Sequence, residues 1–208
     1  MKVLKDAGGR LFSLNIKLLG FYHQGMISTT SIKFKFKFIL VFIFLTFKSI
    51  AELKLDDKNL LNEENVTLQV EGQKKGTVIL FLSSSCGCTE THLSHIQKLN
   101  DEYKQNFKFI GILANEEEDI GEAVSFFKRK KTSFPVVRNE KIALELNATK
   151  TPSAYVLDKK MQILYSGGIS DNIDFKKSKR SYLKEALSDI ENNRQIKIKN
   201  QKVLGCSI

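Results

Sequence analysis

Apolar and polar positions change period several times along the chain, and each change marks the boundary of an expected element. Residues 66–70 (VTLQV) alternate between apolar and polar side chains, which predicts a half-buried strand. Residues 77–82 (TVILFL) form a nearly continuous apolar run, which predicts a central strand buried on both faces. From residue 89 to 103 apolar side chains recur every three or four positions, which predicts an amphipathic helix. The apolar positions of this helix are Leu93, Ile96, Leu99 and Tyr103.

The rest of the chain continues the alternation of strands and helices. Further strands are expected at 107–113 and 134–137, helices at 115–131, 140–146 and 180–190, and a β-hairpin at 154–157 and 162–165. In the first of these helices, acidic residues 116–119 come before basic residues 128–131, the order that complements a helix dipole. Helices that alternate with parallel strands and end in a hairpin and a closing helix predict an α/β fold with a central mixed sheet flanked by helices.

The N-terminal residues have the pattern of a secretory signal. Three lysines come just before ten uncharged residues (38–47, FILVFIFLTF), and the small residues Ser49 and Ala51 follow. We expect residues 1–51 to be a presequence that is cleaved after Ala51, with Met26 as an alternative initiator. Ten apolar residues are too few to span a bilayer, which takes about 20. An uncleaved N-terminal membrane anchor is the alternative.

The net charge of +10 resides mainly in this presequence. Residues 1–51 hold eight of the 33 basic residues and one of the 23 acidic ones, which leaves 25 basic and 22 acidic residues in the remainder. The remainder has no basic stripe interleaved with aromatic residues, so a nucleic-acid partner is not indicated. After a polar connecting arm at 52–65, we expect one folded domain at 66–192 and a basic tail at 193–208.

Two cysteines stand one residue apart where the strand at 77–82 gives way to a helix. Only a thiolate attacks a disulfide, and the N-terminus of a helix favours negative charge. Cys86 is therefore the expected nucleophile and Cys88 the expected resolving thiol. Gly87 between them gives the backbone the freedom that a Cys-Gly-Cys disulfide ring needs. Thr89 is the expected N-cap of the helix.

Cys206 is the third cysteine and lies in the tail. If the tail folds back, Cys206 becomes a resolving or relay thiol for Cys86; otherwise it belongs to a disordered end. The apolar residues Val203, Leu204 and Ile208 favour docking of the tail.

Two histidines follow the cysteines and raise the alternative of a metal site. Cys86, Cys88, His92 and His95 lie within ten residues and together would suit zinc or copper(I). The neighbouring leucine and isoleucine positions take the core side of the helix, so we expect both histidines at the surface. A milder role for His92 is to favour the thiolate through its positive charge.

Three segments of the chain resemble a known family. FLSSSCGCTETHLSHIQKLNDEYK, then FKFIGILAN, then FPVVRNEKIALELNATKTPSAYVLDKKMQILYSGGISD are similar to the thioredoxin-like redoxins of the AhpC/TSA (alkyl hydroperoxide reductase/thiol-specific antioxidant) and TlpA-like group, over residues 66–207. The resemblance implies a thioredoxin-like fold. It also implies that Thr151 and Pro152 form the cis-proline loop, which packs against the reactive disulfide and faces the substrate. The ending VLGCSI resembles that of some exported redoxins.

The motif departs from both branches of the group. Thioredoxins separate their cysteines by two residues, whereas here Thr89 occupies the second cysteine position. Peroxiredoxins place a proline after the reactive cysteine, where this chain has Gly87, and an arginine near the position of Pro152; Arg138 is the nearest candidate. Dithiol exchange is therefore favoured over thiol peroxidase activity.

The sequence thus predicts an exported thiol–disulfide oxidoreductase in the periplasm or another extracytoplasmic compartment. No cofactor is expected beyond a redox-active disulfide, and the expected partners are protein thiols or disulfides and a thiol reductant. The alternatives are a copper or zinc chaperone that uses the same cysteines and a thiol peroxidase of the AhpC/TSA type.

Overall fold

The computed structural model describes residues 53–70 and 72–208. The predicted signal at 1–51, including its cleavage site and the alternative start at Met26, lies outside the described residues. Within 53–70 and 72–208, no helix has the length and apolar character that would let it cross a membrane.

The described elements follow the predicted order of strands and helices. In chain order they are β1 (Asp56–Lys58), β2 (Asn65–Thr67), β3 (Gly76–Leu82), α1 (Gly87–Tyr103), β4 (Phe107–Leu113), α2 (Ile120–Arg129), β5 (Val136–Arg138), α3 (Glu140–Glu145), β6 (Lys150–Thr151), β7 (Ser153–Asp158), β8 (Ile163–Gly168), a 3-10 helix (Phe175–Lys177), α4 (Tyr182–Glu191) and β9 (Cys206–Ser207).

The central sheet has five strands in the order β5-β4-β3-β7-β8. Strands β3, β4 and β5 run parallel, whereas β7 pairs antiparallel with β3 and β8 pairs antiparallel with β7. The sheet is therefore mixed, as predicted. All seven residues of β3 are buried, which confirms that the apolar run forms a central strand.

Side chains of β3 alternate between two apolar cores, one on each face of the sheet. Leu80 and Leu82 belong to the core that also contains the apolar face of α1, including Ile96, and residues of α2 and α4. Ile79 and Phe81 belong to the opposite core, which α3 and the N-terminal segment cover. The two layers of helices confirm the predicted flanked sheet.

Residues 53–65 of the predicted connecting arm contribute to the folded structure. β1 pairs antiparallel with β2, and Leu53 and Leu55 are buried in the core on the Ile79 side of the sheet. Their spacing resembles neither a strand nor a helix pattern for long enough to be recognised. They share this core with Ile142 and Ala143 of α3.

α1 begins earlier than predicted, and α2 begins later. α1 begins at Gly87 with Cys86 as its N-cap residue, so the expectation of Thr89 as N-cap is wrong. Thr89 is buried instead, and its Oγ1 accepts a hydrogen bond from the Ser83 amide at 3.3 Å. α2 begins at Ile120 rather than 115, because Asp119 caps it by accepting a hydrogen bond from the Glu122 amide.

Candidate active site

Cys86 lies where β3 ends and α1 begins. Its backbone is extended (φ −92°, ψ 114°), and its carbonyl accepts the first hydrogen bond of the helix, from the Glu90 amide at 3.1 Å. The side chain is 3% exposed. A thiolate at this position faces the unpaired amides and the positive end of the helix dipole, which favour it over the neutral thiol.

The structure joins Cys86 to Cys206 in a disulfide across 120 residues of sequence, with a Cα–Cα distance of 6.1 Å. This distance lies in the ordinary range for a disulfide. The sequence favoured Cys88 as the partner of Cys86, whereas in the structure Cys88 is a free, half-buried thiol. Cys206 reaches Cys86 because the tail folds back onto the domain.

The sulfur atoms of Cys86, Cys88 and Cys206 lie within 4.8 Å of one another. Among the residues that the structure describes, neither His92 nor His95 belongs to this group. The structure therefore does not assemble the predicted ligand set of two cysteines and two histidines. It replaces the histidines with a third sulfur.

The loop at Thr151 and Pro152 borders the disulfide, and the peptide bond between these residues is cis. The carbonyl oxygen of Thr151 lies 3.4 Å from Cys86 Sγ, close enough to accept a hydrogen bond when Cys86 is a thiol. The loop that the resemblance identified as the cis-proline loop therefore contains a cis proline and lies next to Cys86.

The tail pairs with the strand that leads into this loop. β9 lies antiparallel to β6, with Cys206 opposite Thr151 and Ser207 opposite Lys150. The Ile208 amide extends the pairing by donating to the Thr149 carbonyl at 3.0 Å. Upstream, residues 199 and 201 exchange backbone hydrogen bonds with Ser166 of β8. These bonds fix the path that brings Cys206 to Cys86.

Glycines permit this close approach. Gly167 has a positive φ of 142°, and a side chain there would meet the backbone of Gln201. At Gly205 an added Cβ would overlap the carbonyl oxygen of Thr151 and lie 2.8 Å from its carbonyl carbon. Glycine is therefore required directly before Cys206 for the tail to reach β6.

His92 is buried, so the expectation that it lies at the surface is wrong. The segment after β8 covers this side of α1. His92 Nε2 lies 2.8 Å from Ser170 Oγ, and His92 Nδ1 lies 2.8 Å from the carbonyl oxygen of Cys88. Burial lowers the pKa of His92, which opposes the positive charge that would help a nearby thiolate.

His95 is partly covered by the same segment. Its ring stacks on Phe175 with centroids 3.9 Å apart, and its Nε2 lies 2.7 Å from Ser181 Oγ. Burial, with smaller contributions from His92 and nearby lysines, lowers the pKa of His95 to about 4. Both histidines thus contact other groups of the fold, and neither belongs to the group of three sulfur atoms.

A buried carboxylate holds the loop before Cys86. Glu118 Oε1 accepts hydrogen bonds from both the amide and the hydroxyl of Ser84, at 2.5 and 2.6 Å. The Arg138 guanidinium donates to the Glu118 and Glu116 carbonyls and pairs with Glu140. The sequence did not indicate this role of Glu118, because the residue was assigned to the first turn of a helix and its contact with Ser84 spans 34 residues.

A family model, the domain of unknown function DUF6436, matches residues 57–207. The chain belongs to this family. The comparison with curated proteins finds no match to the DUF6436 chain.

Solved structures similar to the DUF6436 chain include three bacterial proteins. An uncharacterized conserved protein from Geobacillus kaustophilus is 20% identical, with a TM-score of 0.68, and the match covers 75% of this chain and 88% of that one. A hypothetical protein from Sinorhizobium meliloti 1021 is 17% identical, with a TM-score of 0.67 and coverage of 75% and 90%. A candidate thioredoxin from Neisseria meningitidis is 23% identical, with a TM-score of 0.50 and coverage of 68% and 88%. The DUF6436 chain therefore has a thioredoxin-like fold.

Proposed function

We propose that this protein is a thiol–disulfide oxidoreductase of thioredoxin-like, redoxin type. The observation that carries the proposal is the Cys86–Cys206 disulfide, which lies at the N-terminus of α1 and against the loop at Thr151 and Pro152. A helix N-terminus favours the thiolate that forms when the bond opens, which is the form that carries out thiol–disulfide exchange.

The catalytic cycle begins with the reduced protein. The Cys86 thiolate attacks one sulfur of a substrate disulfide; a bond forms between these sulfurs, and the other substrate sulfur leaves as a thiolate. The Cys206 thiolate then attacks Cys86 Sγ and releases the second substrate thiolate. The substrate gains two electrons, the two released thiolates take up protons from solvent, and the protein is left with the Cys86–Cys206 disulfide. A thiol reductant reverses these steps.

Each residue of the site has a distinct role in this cycle. Cys86 is the nucleophile and Cys206 the resolving thiol, delivered by the tail. Thr151 and Pro152 face the substrate, and the Thr151 carbonyl oxygen lies 3.4 Å from the reacting sulfur. Cys88, within 4.8 Å of both other sulfurs, remains available as a second resolving thiol.

The proposed setting is extracytoplasmic. The basic and apolar pattern of residues 1–51 supports export, and a disulfide persists in an oxidising compartment such as the periplasm. The proposed partners are protein thiols or disulfides and a thiol reductant. If the signal is retained, the domain is tethered to the membrane.

Reduction of insulin disulfides by dithiothreitol tests the proposal. The wild-type protein should accelerate the reaction, Cys86→Ser should abolish the acceleration, and Cys88→Ser is the matched cysteine control that should retain most of it. The double variant Cys88→Ser with Cys206→Ser, which lacks both resolving thiols, should accumulate a mixed disulfide between Cys86 and insulin in the absence of dithiothreitol. Undiminished acceleration by Cys86→Ser would refute the assignment.

The three clustered sulfurs favour a second candidate function, which is metal binding in the reduced state. Three thiolates within 4.8 Å suit copper(I) or zinc. A protein purified in reduced form without chelators should then retain one equivalent of metal, and Cys206→Ser should lose it. Absence of metal under these conditions would eliminate this candidate.

A further inference from the structure

The tail occupies the edge of β6 in the way that a bound peptide strand would. Residues 206–208 lie antiparallel to residues 149–151, bonded through the backbone, with a cysteine placed against Cys86. Backbone pairing of this kind does not require the strand to belong to the same chain. The sequence of the tail therefore indicates which residues a strand needs in order to bind at the edge of β6.

We propose that, once the Cys86–Cys206 bond is reduced, the β6 edge binds an extended strand of a partner protein whose reactive cysteine has glycine directly before it and an aliphatic residue two positions after it. This specificity rests on the proposed function and adds a substrate class to it. The tail is then an internal competitor that the partner strand displaces.

The glycine requirement follows from the approach of the tail to the cis-proline loop. A Cβ at Gly205 would overlap the carbonyl oxygen of Thr151 and lie 3.3 Å from Pro152 Cδ. The obstructing atoms are backbone and a proline ring, which cannot rotate away as a flexible side chain would. A foreign strand in the same position meets the same obstruction.

The aliphatic requirement follows from the seat of Ile208. This side chain is half-buried and packs against the core that contains Ile142 and Ala143, with Ala148 alongside. An open hollow of about 610 Å³ adjoins it, with Ala143, Leu144 and Ala148 as apolar lining and three glutamates, at 116, 117 and 140, among its polar lining. Ser207 between the two recognition positions is exposed, so the strand is free to vary there.

The attachment of the tail is weak enough for exchange. Within residues 193–208, all of which the structure describes, no side chain is fully buried. Apart from the disulfide, the end of the tail is held mainly by its pairing with β6 and by the partial burial of its apolar side chains. A partner strand that offers the same contacts can therefore take its place.

The test uses the full-length chain with Cys88→Ser and Cys206→Ser, which leaves Cys86 as the single thiol. The probe is the peptide VLGCSI with its cysteine linked to nitrothiobenzoate. The Cys86 thiolate attacks the peptide sulfur, a peptide–Cys86 disulfide forms, and nitrothiobenzoate leaves as a coloured thiolate. The same label on glutathione provides a reagent that lacks the strand sequence.

Three peptide variants separate the requirements. Replacing the peptide glycine by alanine should slow the reaction at least about tenfold, because the added Cβ would overlap the carbonyl oxygen of Thr151. Replacing the peptide isoleucine by serine should slow the reaction about tenfold, because the burial of an aliphatic side chain is lost. Replacing the serine by alanine is the matched control and should leave the rate unchanged, because the Ser207 side chain of the tail is exposed. Wild-type reduced chain should show the same order of rates in competition with its own tail.

The outcomes distinguish this inference from the function on which it rests. Equal rates for all four peptides, with rapid reaction of labelled glutathione, would overturn the strand specificity and leave thiol exchange standing. Reduced wild-type chain that couples through Cys206 to a second copy in preference to the peptide would assign the edge to self-association and overturn the proposal. If neither peptide nor glutathione reacts, both proposals fail.

Discussion

Replacing Gly205 by alanine perturbs the redox couple without touching a sulfur atom. The added Cβ would overlap the carbonyl oxygen of Thr151, so the tail must move away from β6. The pairing of Cys206 with Thr151 and the Ile208 amide bond to Thr149 would then be broken or weakened. The reduced tail suffers no such penalty, because it is free to leave the edge. The substitution should therefore make the disulfide easier to reduce.

The size of the effect follows from the backbone hydrogen bonds that break when the tail leaves β6. Two or three such bonds at about 1 kcal/mol each amount to about 2 to 3 kcal/mol. That free energy corresponds to a fall of about 30- to 150-fold in the equilibrium constant for forming the Cys86–Cys206 bond. For a two-electron couple, it raises the reduction potential by about 40 to 65 mV.

The assay is a titration in glutathione redox buffers, with acid quenching, alkylation and mass analysis of the oxidised fraction. Ser207→Ala is the matched tail control, because the Ser207 side chain is exposed, and its midpoint should equal that of the wild type. If Gly205→Ala and the wild type have the same midpoint, the tail does not require close approach at Gly205 and the reasoning is refuted.

Three further perturbations have outcomes set by the structure. Reducing Cys86–Cys206, which closes a loop of 120 residues, should lower the free energy of unfolding in urea by about 2 to 4 kcal/mol, with no effect of reductant on Cys206→Ser. Glu118→Ala removes the acceptor of two Ser84 hydrogen bonds and should lower the free energy of unfolding by about 2 kcal/mol. Glu118→Gln keeps an acceptor and should lower it by less; equal decreases would show that the Glu118 oxygen does not hold the Ser84 loop. Because the pKa of His95 is lowered from 6.5 to about 4, the unfolded state binds more protons than the folded state between pH 4 and 6.5. The contribution of neutral His95 to stability is therefore fully present above pH 6.5 and is lost as the pH falls towards 4. Between about pH 7 and 4.5, the free energy of unfolding of His95→Gln should fall by about 1 to 2 kcal/mol less than that of the wild type, after a discount for the partial solvent exposure of the ring. Equal decreases in the two proteins would contradict a buried, neutral His95 ring.

Most elements of the fold could be predicted from the local periodicity of apolar residues. The apolar run of β3 and the helical spacing of Leu93, Ile96, Leu99 and Tyr103 depend only on neighbours in sequence, and the structure confirms both. The place of Cys86 at a helix N-terminus followed from the same reasoning. The buried leucines near the N-terminus were missed, because a stretch of three or four residues is too short to establish a period.

The cysteine pairing and the burial of the site residues were harder to predict, because they depend on contacts between segments that are distant in sequence. Cys88 is close to Cys86 in the chain, and this proximity favoured it; Cys206 is 120 residues away and is brought in by the tail. His92 was expected at the surface because its helix position is not on the apolar face, but the segment after β8 covers it. The ending VLGCSI was noted as a resemblance, but the steric need for glycine at position 205 was not predicted, because it arises only from contact with Thr151.

A disulfide map of the wild-type protein tests the central claim most directly. The protein is equilibrated across glutathione redox buffers, alkylated without prior reduction and digested, and the linked peptides are identified by mass spectrometry. We predict that Cys86–Cys206 forms and breaks reversibly while Cys88 remains alkylated throughout. A Cys86–Cys88 link as the oxidised form, or three free thiols in every buffer, would contradict the account.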